Sequence, residues 1–254
     1  MVTETLRSRI LSGESLLGAF LTWPVEGVLE LLGLGGFGFA VLDTEHGYFN
    51  PESVERMVRA AEGAPIPVIV RVPNCHASAD VGRALDAGAC GILFPRADGV
   101  PAVRGAVESA KYAPVGRRGL AGVRANRYGT LPFDRWVVDA NDGSIVIVQI
   151  ETAAALEAVD SIAAEKWVDA LFVGPNDLSQ ALGIPGNYTD ERYRAAVERV
   201  AAAARARGKA AGIMLREASQ IAALRRQGYT VFTTSDRGLL AQSATAWRAA
   251  IEGA

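Results

Sequence analysis

Apolar residues in this chain gather into short runs, and the stretches between the runs carry apolar positions at helical spacing. The most telling run is Ile145-Val146-Ile147-Val148-Gln149-Ile150-Glu151, apolar and rich in β-branched residues. That composition predicts a strand buried on both faces, as in a parallel sheet. Seven further runs read the same way: Leu16–Thr22, Phe37–Asp43, Ile66–Val72, Gly91–Pro95, Ala170–Pro175, Ala210–Leu215 and Tyr229–Thr234. Between most of them lie helix-like stretches, among them Pro51–Ala61, Ala79–Ala87, Ala153–Ala164, Glu191–Arg207 and Glu217–Gln227. Eight parallel strands alternating with helices close as a (β/α)8 TIM barrel, here spanning residues 1–254 as a single domain.

Stop signals support these boundaries. Ala87-Gly88, Arg207-Gly208 and Gln227-Gly228 each place glycine where a helix ends in a left-handed residue, a few positions before the next strand. One connection, from Pro114 to Gly143, is too long for an ordinary loop. It holds Arg117, Arg118, Arg124, Arg127 and Tyr128, then an amphipathic segment from Pro132 to Ala140 with Phe133, Trp136 and Val137 on one face. The basic cluster is expected near the top face of the barrel, as a functional loop or as a solvated excursion. The last helix, Gly238–Ile251, carries Leu239, Leu240, Trp247 and Ile251, which pack on their own barrel or form an oligomer interface.

Composition narrows the picture. Of 254 residues, 50% are hydrophobic and 21% charged, with a net charge of −2. That is ample for a large core and gives no footprint for nucleic acid. No apolar run approaches the roughly 20 residues of a membrane span, and the N-terminus lacks the layout of a signal peptide. Cys75 and Cys90 fit no paired motif, so a reduced, cytoplasmic setting is expected.

In a barrel of this class the catalytic groups sit where strands end. Those positions hold Asp43-Thr44-Glu45-His46, Arg71, Pro95-Arg96, Gln149 and Glu151, Asn176-Asp177, Leu215-Arg216, and Ser235-Asp236-Arg237. Glu151 and Asp177 follow adjacent strands. Two carboxylates in one small volume repel unless a cation lies between them, and a pair with the remaining positions left to water and substrate suits Mg²⁺ or Mn²⁺. The alternatives are an N-cap role for Asp177 and a helix-dipole role for Glu151. His46 is a candidate general base, while His76 lies off the strand ends. Arg71 ends an apolar strand and needs an anion: Asp43, Glu45, or the oxygen of a bound 2-oxo acid. None of Lys111, Lys166 and Lys209 falls at a strand end, so no Schiff-base lysine is expected. A phosphate site at Ser235-Asp236-Arg237-Gly238 is disfavoured by the charge of Asp236.

Together, Leu42-Asp43-Thr44-Glu45-His46, Gln149-Ile150-Glu151-Thr152 and Phe172-Val173-Gly174-Pro175-Asn176-Asp177-Leu178-Ser179 resemble the HpcH/HpaI aldolases, the metal-dependent class II pyruvate aldolases. Ala84–Gly88, Tyr112–Gly119 and Gly212–Leu215 extend the resemblance over nearly the whole chain, in order. The resemblance implies a hexamer built on trimers, with exchanged C-terminal helices. It implies Mg²⁺, Mn²⁺ or Co²⁺ on Glu151 and Asp177, and a 2-oxo acid lined by Arg71, Gln149, Gly174, Pro175, Asn176 and Leu215. His46 would move the proton, held by Asp86 of a neighbouring subunit. The chain departs from many relatives at Asn176, where they have alanine, and in Pro73-Asn74-Cys75-His76. The expected reaction is reversible cleavage of a 4-hydroxy-2-oxo acid to pyruvate or hydroxypyruvate and an aldehyde, through an enolate. The rivals are oxaloacetate decarboxylation or a related enolate lyase, and a non-catalytic barrel that binds a metal and a 2-oxo acid.

Overall fold

A computed structural model describes residues 5–252. Its strands are β1 (Leu16–Leu21), β2 (Phe39–Asp43), β3 (Val68–Arg71), β4 (Gly91–Phe94), β5 (Ile145–Ile150), β6 (Ala170–Val173), β7 (Ala210–Met214) and β8 (Val231–Ser235). All neighbours pair in parallel, and β8 returns to β1, so the sheet closes as a barrel. The fold is the expected (β/α)8 barrel, with helices surrounding the sheet.

The unbroken apolar runs have a direct cause. One set of strand side chains, including Phe20, Phe39, Val41, Ile69, Leu93, Ile147 and Phe172, fills the barrel interior. The alternate set, including Leu42, Val70, Val146, Val148 and Leu171, packs outward under the helices. With both faces buried, no polar alternation is left in the sequence. The helix Leu6–Leu11 sends Leu6 and Ile10 into the interior cluster and so closes the N-terminal end of the barrel.

Helix ends follow the sequence signals closely. Gly88, Gly208 and Gly228 adopt φ of 107°, 63° and 104°, the left-handed conformation expected of each. Two expected helices are interrupted. The stretch 153–164 divides into Ala153–Glu157 and Val159–Ala163, with Ala158 shared as cap. The stretch after β7 begins as a tight turn, Ala218–Gln220, before Ile221–Gln227.

The long connection corrects an expectation. Helices that follow strands run back down the barrel, so their C-terminal ends lie at its N-terminal face. Arg124 donates from Nη1 to Ala87 O at 2.7 Å and from Nη2 to Glu62 Oε2 at 2.7 Å, at the C-terminal ends of the helices Ser78–Ala87 and Pro51–Gly63. Arg118 pairs with Asp86 at 2.6 Å. The basic cluster is therefore at the bottom of the barrel, not the top. There its cations meet carboxylates and a free helix carbonyl. Asn126, fully buried, holds the connection in shape by accepting from Val123 N and Gly129 N, each at 2.9 Å, and donating to Ala121 O at 2.7 Å.

The helix Asp236–Glu252 leaves Leu240, Trp247 and Ile251 exposed, Trp247 at 76%. Self-packing is thus limited to the start of this helix, which lies against β1 and β8, while its later apolar side chains are uncovered in the isolated chain. No helix among the described residues is long and apolar enough to cross a membrane.

Candidate active site

The polar groups gather where the strands end. Asp43 closes β2, buried, and its Oδ1 accepts from the backbone N–H of both Glu45 and His46 at 3.1 Å. That turn reverses the chain over the barrel mouth. Asp43 and Arg71 are register partners on β2 and β3. Arg71 donates to Asp43 with Nε at 2.9 Å and Nη2 at 2.6 Å. Its Nη1 lies 3.2 Å from Glu45 Oε2. That oxygen is buried and lacks an aligned hydrogen bond, so the pair is held by charge alone. The guanidinium also lies 5.0 Å from the centre of the Phe20 ring. The ion-pair alternative for Arg71 is therefore present, with both acids at once.

On the opposite side, Glu151 follows β5 and is 2% exposed. Its Oε1 accepts from Arg96 N at 3.0 Å, and its Oε2 accepts from Gln149 Nε2. Arg96 takes φ of 50°, an unusual left-handed conformation for a side-chain-bearing residue, where it turns its N–H to the carboxylate. Gly174 follows β6 against the same pair. A Cβ there would meet the ends of the Gln149 and Glu151 side chains, so any larger residue would have to displace this pair. Burial pushes the Glu151 carboxyl up to about 7, and the charges of Asp177 and Glu45 add to the effect. Burial also raises Glu45. Asp177 is the third residue of the helix Pro175–Ala181, whose cap is Gly174 and whose first residue is the buried Pro175. It is not the N-cap that the sequence left open. Glu151 likewise stands outside the next helix, where Thr152 caps by accepting from Ala155 N at 3.0 Å.

Three carboxylates, Asp43, Glu45 and Glu151, thus interact with one guanidinium, Asp177 adds its charge to Glu45 and Glu151, and an oxygen of Gln149 is buried with no partner. An excess of buried negative charge beside an unpaired acceptor calls for a cation. Among the described residues no group of three or more His, Cys, Asp or Glu is arranged to hold a metal. A dication here would rest on Glu151 and Asp177 with open positions, and oxygen donors of that kind fit a hard metal.

The remaining candidates are placed plainly. Leu215 is buried just past β7, its N–H donating to Thr233 O at 2.7 Å. The side chain of Asn176 is taken up by Tyr188. His46 is on the top loop, its side chain 63% exposed and its Nε2 4.0 Å from Glu45 Oε1. Asp86 is at the bottom of the barrel, paired with Arg118, so within one chain it does not join His46. Asp236 is fixed by Thr22, whose N–H donates to Oδ2 at 2.6 Å, and by Trp23 N at 3.2 Å. It takes the donors that a phosphate would need. The three lysines are all at the bottom: Lys111 Nζ donates to Asn141 O, Ser144 O and Ser144 Oγ, Lys209 Nζ donates to Lys166 O, and Lys166 directly precedes Trp167 below β6. Glu45 was expected as one possible partner of Arg71, and it takes that place beside Asp43. The Arg96 N–H was not singled out by the sequence, because a backbone group carries no signal in it.

Comparison with known proteins identifies the family. A profile of the HpcH/HpaI aldolase/citrate lyase family matches residues 25–243. The chain is 33% identical over 192 residues to a hydroxypyruvate/pyruvate aldolase of Sagittula stellata, covering 75% of each chain. It is 37% identical over 186 residues to a 5-keto-4-deoxy-D-glucarate aldolase of Escherichia fergusonii, covering 73% of this chain and 72% of that one. It is 33% identical over 216 residues to a 4-hydroxy-2-oxovalerate aldolase of Novosphingobium aromaticivorans, covering 84% and 81%. Among solved structures, an HpcH/HpaI aldolase from Desulfitobacterium hafniense superposes with a TM-score of 0.92 at 28% identity, over 98% of this chain and 97% of that one. The citrate synthase SbnG superposes with a TM-score of 0.89 at 32% identity, over 99% and 98%. The chain is a lyase-type enzyme that belongs to the HpcH/HpaI aldolase/citrate lyase family.

Proposed function

We propose that the protein, as one barrel domain over residues 1–254, is a divalent-metal-dependent aldolase. It would reversibly cleave 4-hydroxy-2-oxo acids to pyruvate or hydroxypyruvate and an aldehyde. The observation that carries this reading is the acidic cluster itself. A 2-oxo acid is an anion, and the carboxylates of Asp43, Glu45, Glu151 and Asp177 would repel it unless a cation offset them. Glu151 and Asp177 would hold that ion, Mg²⁺, Mn²⁺ or Co²⁺. When bound, it would supply Lewis acidity to the substrate's oxo group.

The chain's own groups supply the rest. Arg71, fixed by Asp43 and Glu45, directs its charge to the oxygen on which negative charge grows as the C3–C4 bond breaks. Gln149, Gly174, Pro175, the backbone of Asn176 and Leu215 line the space around the 2-oxo acid. Gly174 keeps that space open because a side chain there would strike Glu151. His46, exposed on its loop, takes the proton of the C4 hydroxyl. Asp86 of a neighbouring subunit would orient it, because Asp86 and His46 of one chain lie at opposite ends of the barrel. The exposed Leu240, Trp247 and Ile251 support a homo-hexamer with exchanged C-terminal helices. An imine mechanism has no support, since every lysine is at the barrel bottom. The likeness to a citrate synthase favours, as second reading, related enolate chemistry such as oxaloacetate decarboxylation.

The test is a panel of 4-hydroxy-2-oxo acids, aldehydes with pyruvate or hydroxypyruvate, and oxaloacetate, run on metal-stripped enzyme with one dication restored at a time. Aldol turnover that returns with a dication supports the proposal. Full turnover by the stripped enzyme, or by Glu151→Gln, would overturn it.

A further inference from the structure

A hydrogen-bonded chain at the barrel mouth ties the residue before Asp177 to two other loops. The Tyr188 hydroxyl lies 2.5 Å from Asn176 Oδ1, and Arg216 Nη1 lies 3.2 Å from the same hydroxyl. A guanidinium can only donate. The phenol oxygen therefore accepts from Arg216, and its own proton is turned to Asn176 Oδ1. The ring itself is held by its neighbours: the Arg216 guanidinium lies 5.1 Å from its centre, and Tyr193 meets it edge-on at 5.3 Å and 72°. The backbone of Asn176 is gripped as well. Ser179 Oγ donates to Asn176 O at 2.7 Å and accepts from Gly186 N at 3.0 Å. Gly183 and Gly186, at φ of 72° and 75°, let the segment after the helix double back to make this grip.

The helix so braced, Pro175–Ala181, has seven residues. A helix this short has little stability of its own. The charge of its third residue, Asp177, acts on Glu45 and Glu151, and like charges repel when no cation offsets them. We propose that Tyr188, backed by Arg216, is a positioning residue that acts through Asn176 to hold the Asp177 carboxylate in place for the metal. The inference rests on the assignment of Asp177 as a ligand in the reading above.

The measurement is calorimetric titration of Mn²⁺ into metal-stripped wild type, Tyr188→Phe, Asn176→Ala and the double variant, with Asp177→Asn alongside. Tyr188→Phe keeps the ring packed on Tyr193 and removes the hydroxyl alone. Losing one neutral hydrogen bond should weaken Mn²⁺ binding about three- to tenfold in either single variant. The double variant should be no weaker than the singles, because both remove the same contact. At saturating Mn²⁺ the turnover of Tyr188→Phe should recover toward wild type, since the brace acts on metal affinity. Unchanged Mn²⁺ affinity with only a lower melting temperature, or fully additive losses, would overturn the proposal. If Asp177→Asn binds Mn²⁺ as wild type does, the ligand assignment fails first and the brace falls with it.

Discussion

Arg71 and Asp43 stand opposite one another on neighbouring strands, and their side chains close a two-pronged ion pair of 2.9 and 2.6 Å at the barrel mouth. Both side chains are nearly buried. The pair therefore orients the guanidinium, and Glu45 leaves the far edge of that guanidinium under a third acidic contact.

Breaking this pair should be costly in two separable ways. Asp43→Ala leaves a buried cation half-compensated and should destabilise the protein by about 3 kcal/mol. It is read in urea unfolding. Arg71→Lys keeps the charge but cannot make the fork, so it should lower kcat/KM by about a hundredfold while moving stability less. Wild-type kinetics in Arg71→Lys would show that the fork is only structural.

Glu151 predicts an unusual pH dependence for the metal-free protein. Its carboxyl is pushed from 4.5 to about 7, so the folded chain holds the proton more tightly than the unfolded chain does. That stabilisation is complete below the ordinary value and is lost as pH rises through about 7. The loss amounts to about 3 kcal/mol at most. Thermal melts of stripped protein should therefore drop between pH 5 and 8. Glu151→Gln should abolish the drop and, at pH 8, exceed stripped wild type in stability while lacking turnover. A flat wild-type profile would contradict the burial argument.

His46 separates catalysis from binding. Its side chain is largely exposed, so His46→Ala should change stability by no more than about 0.5 kcal/mol. Turnover should fall by about 10²- to 10³-fold if it handles the substrate proton. Retained 2-oxo acid binding without turnover is the expected pattern. Retained turnover would move the proton-transfer role elsewhere.

Lys111 is the structural counterpart at the other end of the barrel. Fully buried, it donates to Asn141 O and Ser144 O at 2.7 Å and to Ser144 Oγ at 2.9 Å. Burial pulls it down to about 8, yet the three acceptors match the three protons of the charged form. Lys111→Met strands those acceptors and should cost about 3 kcal/mol in unfolding experiments, with kcat of the folded enzyme unchanged. An unaltered midpoint would mean that water replaces the ammonium.

The strand order and the composition of the site's rim were legible because they depend on local rules. A strand buried on both faces must be apolar throughout, so β5 and β6 announced themselves, and the polar residues that follow them had to stand at the rim. The glycines at 88, 208 and 228 marked helix ends through their backbone geometry alone. Asp86 illustrates a different case: the resemblance gave it to a neighbouring subunit's site, and the structure adds that in its own chain it pairs with Arg118 at the end of the helix Ser78–Ala87.

By itself, then, the sequence determined the barrel and which residues reach its rim, since both follow from burial period and chain direction. Tertiary structure decided the rest. It sent Arg118 and Arg124 to the bottom, bound Arg71 to two acids, aimed the Arg96 N–H at Glu151 and set Tyr188 against Asn176. Each of these joins positions far apart on the chain or depends on which way a side chain or N–H points. Such pairings are selected by the free energy of satisfying buried charge and hydrogen bonds in the folded state, and no local pattern encodes them.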